Sequence, residues 1–283
     1  YAETVESLMG VEVPKRAEYL RVIWHELSRI HSHLLWLGLA ADAFGFESMF
    51  MHCWRLRERV LDLFEKTTGG RVILSVVKVG GVVRDIDASQ MAEIVSVLDG
   101  IKGEYTQIMN TLLTDTSVKN RTVGVGHITT EDAAALSMVG PFARASNLPY
   151  DVRSFGRGAY GDLADFAPIT ATEGDCYARV KVRCLEVLQS IEIIKELGAK
   201  IPAGDIEVAV KGAPADGAQA SNVLEQPRGE CMYYVKGNGS KYLDRVRIRT
   251  PTFANIPPLL HMVKGIQLAD VPVVVLSIDP CIS

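Results

Sequence analysis

The chain has 283 residues, enough to bury a sizeable core as one or two domains. Its 48% apolar and 23% charged composition excludes a disordered polypeptide, and a net charge of −4 gives no electrostatic case for nucleic acid as a partner. Apolar runs such as VPVVVL, from Val271 to Leu276, fall well short of the ~20 residues that a membrane-spanning helix needs, so no transmembrane helix is expected.

The first half reads as helical. YAETVESLMG already has the spacing of an amphipathic helix, and Pro14 suits the first turn of the next one. From there Leu20, Ile23, Leu27, Ile30, Leu34 and Leu37 recur every three or four residues, a buried stripe with Arg16, Glu18, Arg21 and Glu26 mostly off it. Gly45 breaks this helix, and a second runs from Glu47 to about Thr67, stopping at Gly69-Gly70. RVILSVVKVGG reads as a short extended piece closed by Gly80-Gly81, and a third helix covers Ala88 to Thr114. Residues 118–173 read as loop-rich surface crossings with one short helix after Thr130. A fourth long helix follows from about Asp175 to Leu197, with Val180, Cys184, Val187, Ile191 and Ile194 as its apolar stripe. The last third changes character. ECMYYVKGNGSKYLDRVRIRT predicts two strands around a Gly-Asn-Gly turn, then a helix from about Asn255 to Lys264, and VPVVVLSI predicts a buried extended segment leading to Asp279-Pro280-Cys281. No internal repeat or low-complexity tract interrupts this order.

Several motifs are weaker than they look. HELSRIH opens like a zinc-protease motif, but Arg29 stands where the second histidine is required, and His31 and His33, two apart, point away from each other on a helix. Core or interface histidines are the better reading. GRGAYG satisfies G-x-G-x-x-G through Gly156, Gly158 and Gly161, yet LPYDVRSF before it and DLADFAP after it do not supply the strand and helix of a dinucleotide site, so a flexible loop without NAD binding is expected. Arg245, Arg247 and Arg249 alternate with Val246 and Ile248 and give one strand a basic face, either solvated and ion-paired or docked to an acidic partner. The five cysteines, Cys53, Cys176, Cys184, Cys231 and Cys281, include no C-x-x-C pair; the dispersed set reads as reduced and intracellular, with the first four as small buried hydrophobes. Cys281 differs, because it follows Asp-Pro in a tight turn. Pro227-Arg228-Gly229 and the turn in RTPTFAN, which carries Pro251 and Thr252, add two more rigid turns that could converge with it on one point.

These last three motifs, in this order, resemble the large subunit of nickel–iron hydrogenases. GVEVPKRAEYLRVIWHELSRIHSHLLWLGLAADAFGFESMFMHCWRLRERVLDLFEKTTGGR narrows the likeness to the membrane-bound, energy-converting (Ech-type) members and to the related 49-kDa subunit of respiratory complex I. KVGGVVRDI, DVRSFGRGAYGDL, EGDCYARVKVRCLEVLQSIEII and GECMYYVKGNGSKYLDRVRIRTPTFAN extend it over nearly the whole chain. The resemblance implies a mainly α (α+β) fold, a long-helix bundle with a small antiparallel β element in the C-terminal third, as a single large-subunit-like domain over residues 1–283.

The same resemblance implies the chemistry. Hydrogenases of this kind hold their metals with two C-x-x-C pairs, one near the N-terminus and one in Asp-Pro-Cys-x-x-Cys, whereas complex I subunits have lost them. Asp279-Pro280-Cys281 favours the hydrogenase. Both ends therefore read as clipped just inside a ligand motif, with three of the four thiolates expected outside residues 1–283 of a Ni-Fe(CO)(CN)2 centre. By resemblance Cys281 is a nickel ligand, Asp279 a carboxylate beside the metals, and Arg228 the guanidinium that overhangs the open metal position and assists heterolysis of dihydrogen. Pro251 and Thr252 cradle a cyanide, with the hydroxyl as donor, and Pro227 packs the same pocket. The implied partners are a small subunit with a 4Fe–4S cluster, membrane ion-translocating subunits and, indirectly, ferredoxin. The implied reaction is reversible proton reduction to dihydrogen, at the cytoplasmic side of the cell membrane as a peripheral subunit. The rival implied by the same likeness is a complex I-type subunit that shapes a quinone pocket and binds no metal.

Overall fold

The computed structural model of the protein describes residues 1–281. After a short helix α1 (Ala2–Met9), four long helices dominate: α2 (Lys15–Ala43), α3 (Glu47–Thr68), α4 (Ala88–Thr114) and α8 (Cys176–Lys200). α2 packs on α3 and α8, and α4 closes the ring by packing on the same two helices. Their start signals are local. Asp87 caps α4 by accepting from the Gln90 amide at 2.8 Å, while Gln90 accepts from the Asp87 amide, a reciprocal capping box. Asp175 caps α8 through the Ala178 amide and also holds the Gly124 amide at 2.7 Å.

The predicted stripe on α2 is the core. Leu20, Ile23, Leu27, Ile30, Leu34 and Leu37 are all buried in the bundle interior with Leu56, Val60, Leu98, Ile101, Val187 and Ile191. Truncating one of these to alanine costs about 2–5 kcal/mol, because the cavity left behind cannot fully collapse. Glu26 departs from the expectation: it is buried rather than off the stripe, because a second, polar interior lies on that side of α2. Cys53, Cys176, Cys184 and Cys231 are buried as expected, and burial pushes the Cys53 and Cys184 thiols up to about 12.

A second apolar cluster sits at one end of the bundle. It gathers residues of α6 (Thr130–Ala135), α7 (Gly140–Arg144), α9 (Pro251–Met262) and α10 (Val271–Ser277). Two expectations change here. The middle of the chain holds α5 (Thr116–Thr122), α6, α7 and two 3-10 turns, Val152–Phe155 and Gly158–Asp162, rather than one short helix. VPVVVLSI is the helix α10, not an extended strand. Pro272 stands in its first turn, where a missing N–H costs nothing, and Val273 and Val274 are buried in the cluster, so packing overrides the β preference of the valines.

The β element is a three-stranded antiparallel sheet in the order β3 (Gln219–Gln226), β4 (Gly229–Gly237), β5 (Leu243–Arg249). β4 and β5 are the two predicted strands. β3 was not expected: QASNVLEQ is too polar to announce itself, and only Glu225 in it is fully buried. A small hairpin of β1 (Val77–Lys78) and β2 (Gly81–Val82) accounts for the extended piece after α3. On β5, Arg245 and Arg247 are exposed together with Val246 and Ile248, while Arg249 pairs with Glu230. GRGAYG is not preceded by a strand; it folds as the second 3-10 turn against α2, where the Tyr160 hydroxyl meets Glu26 and the Nδ1 of His25. No described helix is long and apolar enough to cross a membrane.

Candidate metal-site residues at three converging turns

The turn between β3 and β4 consists of Pro227 and Arg228, since Gln226 pairs directly with Gly229. Two devices fix it. From below, the fully buried Arg29 of α2 donates to the backbone oxygens of Glu225 at 2.6 Å and Gln226 at 3.0 Å. From the side, Gly229 lies against Gly140 at the start of α7. A Cβ on Gly140, whose φ is +74°, would come within 2.4 Å of the Arg228 oxygen and of the Gly229 Cα. Only two glycines allow the backbones to approach this closely.

Asn255 of α9 locks the same corner. Fully buried, it accepts from the Val139 amide at 3.1 Å and donates to the Val139 oxygen at 3.2 Å. One side-chain amide thus pins α9 beside the segment on which the Arg228 turn rests. α9 begins at Thr250, whose side chain caps the Phe253 amide, with Pro251 buried at the first helical position and Thr252 following it.

The third turn leaves α10. The Asp279 amide donates to the Leu276 oxygen at 2.9 Å, and Asp279 takes φ +56°, a left-handed conformation that reverses the chain. Asp279 is buried, and its Oδ1 lies 3.1 Å from the Nε of Arg228. Arg228 also donates to the Asp279 oxygen at 3.1 Å and to the Ser32 hydroxyl of α2 at 3.1 Å. The Cys281 amide donates to the Thr252 hydroxyl at 2.9 Å. Arg228, Asp279, Thr252 and Cys281 are therefore linked in two pairs, and Pro227 and Pro251 enter by stiffening the turns that carry Arg228 and Thr252.

Behind these turns runs a buried polar interior that the sequence did not announce. Arg144 meets Glu186 Oε1 and Glu225 Oε1 at 2.8 Å each; Arg153 meets Asp151 Oδ2 at 2.7 Å and Glu26 Oε2 at 3.3 Å; His33 meets Glu186 Oε2 at 2.9 Å. All seven side chains are buried. Burial alone would raise the Glu186 carboxyl, but the Arg144 guanidinium and the His33 contact outweigh it and hold it well below the usual carboxylate range. Burial pushes the His33 imidazole down, and pushes His31 down to about 4, helped by the nearby Arg57 and Arg228 charges. The only sequence signal for this interior was charge at helix positions adjoining the apolar stripes, such as Glu26 and Arg29 on α2 and Arg183 and Glu186 on α8.

The donor set fits the periphery of a metal centre rather than a complete one. Cys281 supplies a soft donor on the segment where a guanidinium meets a buried carboxylate and a hydroxyl accepts from its amide, and the Oδ2 of Asp279 is buried without a hydrogen-bond partner among the described residues. No group of three or more His, Cys, Asp or Glu among the described residues is arranged to hold a metal ion. His25, His31 and His33 have ring or carboxylate contacts instead: Tyr160, Phe64 and Glu186, respectively.

Comparison with known proteins places the chain. It is 36% identical, over all of its length and 78% of the relative's, to the carbon monoxide-induced hydrogenase of Rhodospirillum rubrum. A subunit of the F420H2 dehydrogenase of Methanosarcina mazei is also 36% identical, over the same shares. A subunit of the NADH-quinone oxidoreductase of Herpetosiphon aurantiacus is again 36% identical, over 99% of this chain and 77% of that one. The family of the respiratory-chain NADH dehydrogenase 49 kDa subunit matches residues 43–220 and 208–283. Carrying that family's match over most of its length, and equally similar to hydrogenase and quinone-oxidoreductase relatives, this chain belongs to the complex I 49 kDa subunit family.

Proposed function

We propose that this chain is the catalytic large subunit of an energy-converting, membrane-associated nickel–iron hydrogenase, reducing protons to dihydrogen reversibly. The observation that carries this reading is the meeting of Asp279-Pro280-Cys281 with Arg228 and Thr252. A thiol delivered by a left-handed turn into a corner bearing a guanidinium and a hydroxyl is chemically suited to a metal with anionic ligands. A quinone pocket has no use for the thiol.

In this reading Cys281 is a nickel ligand, the other three thiolates lying outside the described residues. The centre, when bound, supplies dihydrogen activation. The chain's own residues orient and shield it. Arg228, tied to Asp279 and Ser32, points a fixed cation at the corner. Thr252 accepts from the Cys281 amide, which leaves its own hydroxyl proton free to donate to a cyanide nitrogen. Pro227 and Pro251 keep both turns rigid. A small subunit with a 4Fe–4S cluster, membrane ion-translocating subunits and ferredoxin complete the proposed assembly, with this subunit peripheral on the cytoplasmic face of the cell membrane.

A second reading is a complex I-type subunit without a nickel–iron site, favoured by the equal identity to a quinone-oxidoreductase relative. Metal analysis of the full-length protein, purified with its bound subunits, separates the two. About one nickel per chain together with hydrogen evolution supports the hydrogenase. Nickel-free protein with quinone-linked electron transfer overturns it.

A further inference from the structure

α8 carries two arginines one turn apart, Arg179 and Arg183, both fully buried and neither hydrogen-bonded to a carboxylate among the described residues. Arg179 has found acceptors for both terminal nitrogens, the Ser277 hydroxyl of α10 at 3.0 Å and the oxygens of Gly126 and Gly174 at 2.7 and 3.0 Å, and only its Nε is left without a partner among the described residues. Arg183 has not. Its Nη1 makes one long bond, 3.4 Å, to the Arg179 oxygen, and its Nε and Nη2 are buried with no partner among the described residues. A buried guanidinium with idle donors is costly, so its position calls for an acceptor.

The geometry around it names one. The Arg183 guanidinium lies over the Trp36 ring, 4.1 Å from its centroid. The Trp36 indole donates to the Leu276 oxygen at 2.7 Å, and that same oxygen accepts from the Asp279 amide at 2.9 Å. Arg183 is thus stacked on the side chain that shares a backbone acceptor with Asp279. Asp279 has its own idle atom, Oδ2, buried and without a partner among the described residues, while its Oδ1 faces Arg228. Burial pushes the Arg183 guanidinium down to about 10, and Asp279 is the foremost charge holding it up.

We propose that Arg183 is the second guanidinium of the site, a positioning residue that holds Asp279 Oδ2 through one ordered water, opposite Arg228 on Oδ1. The carboxylate is then clamped between two cations and cannot rotate, which sets the left-handed turn that delivers Cys281. The service of this clamp to a metal rests on the hydrogenase reading; the clamp itself does not.

The test uses the full-length subunit without metal. Unfolding equilibria are measured for Arg183→Met, Asp279→Asn and the double variant. A clamp predicts that the double variant unfolds about tenfold less readily than the product of the single effects, the coupling typical of residues in one hydrogen-bond network. Arg183→Lys, which keeps the charge, should restore part of that coupling. The Asp279 carboxylate stretch, assigned by infrared difference against Asp279→Asn, should shift in Arg183→Met. Simple multiplication of the single effects, with an unmoved carboxylate band, overturns the clamp. Should Arg183→Met not fold, Arg183→Lys against Asp279→Asn and the same band decide. Nickel content of the loaded wild type is scored separately, so a nickel-free protein refutes the hydrogenase reading and leaves the clamp standing or falling on its own cycle.

Discussion

Arg228 meets Asp279 twice, its Nε lying 3.1 Å from both the carboxylate Oδ1 and the backbone oxygen. One side chain on a two-residue hairpin turn thereby anchors the segment that carries Cys281. Arg228→Lys keeps a charge but loses the planar fork, so the lysine cannot hold Asp279 and Ser32 together. On the proposed hydrogenase reading, the expected outcome in the assembled full-length enzyme is nickel retained at the wild-type level and hydrogen turnover lower by orders of magnitude. Unchanged turnover removes Arg228 from the mechanism.

If Cys281 is the nickel ligand proposed above, Cys281→Ala is expected to abolish nickel retention, since a thiolate ligand cannot be replaced by a methyl group. The fold should survive, because the Cys281 contact described above is made by its backbone amide to Thr252, which alanine retains. Metal analysis and thermal unfolding of the same preparation check both halves. Full nickel occupancy in this variant would falsify the ligand assignment.

Much of this was legible in the sequence, and the failures have causes. The helices α2, α3, α4 and α8 were readable because apolar residues recur at helical spacing over many turns and capping residues or glycines mark the ends. The site turns were readable because Pro, Gly and Asp set backbone direction locally. α10 was misread because a run of valines carries a β preference that only tertiary packing reverses. β3 was missed because its strand pairing, not its side chains, defines it. The buried charges gave only a faint signal for a related reason: Glu26 and Arg153 read as ordinary surface residues until α2 and the turn at Val152–Phe155 bring them together.

The histidines of α2 give the protein a predictable acid response. Burial pushes His25 and His31 down to about 4, against 6.5 for an exposed imidazole. Between these values the unfolded chain binds protons that the native state refuses, so stability falls as pH drops from about 6.5 toward 4, by up to about 1.4 kcal/mol per pH unit per histidine. His31→Gln should flatten that slope by one histidine's share while changing little at neutral pH. Denaturant midpoints of both proteins at several pH values supply the comparison; parallel curves sink the assignment.

Glu186 joins His33 to Arg144, each contact fully buried. Glu186→Gln keeps the shape and removes the charge that Arg144 needs. Glu225 remains as a second partner at 2.8 Å, which limits the damage. A loss of about 3 kcal/mol in unfolding free energy is expected, the lower end for breaking a buried pair. Replacing both Glu186 and Arg144 by apolar residues should cost less than the two single losses added together, because the contact between them is counted in each single loss. Strict additivity in chemical denaturation contradicts the pairing.

Gly140 tests whether the site depends on backbone contact rather than on side chains alone. Alanine there must adopt φ +74° and place a methyl group 2.4 Å from the Arg228 oxygen. The hairpin turn has to move, while Arg29 holds it from below and Asn255 holds Val139, next to Gly140, in place. The strain is therefore shared between the Arg228 turn and the α7 start, at a cost of at least about 1 kcal/mol for the left-handed conformation. Gly140→Ala is expected to lower the unfolding midpoint and to weaken nickel retention, although no metal ligand is touched. Gly124, which also has a positive φ but open space around it, serves as the control: Gly124→Ala introduces the conformational strain without displacing any neighbour. If both variants lose nickel equally, backbone strain alone is responsible. If only Gly140→Ala does, the Gly140–Gly229 contact is what holds Arg228 against Asp279.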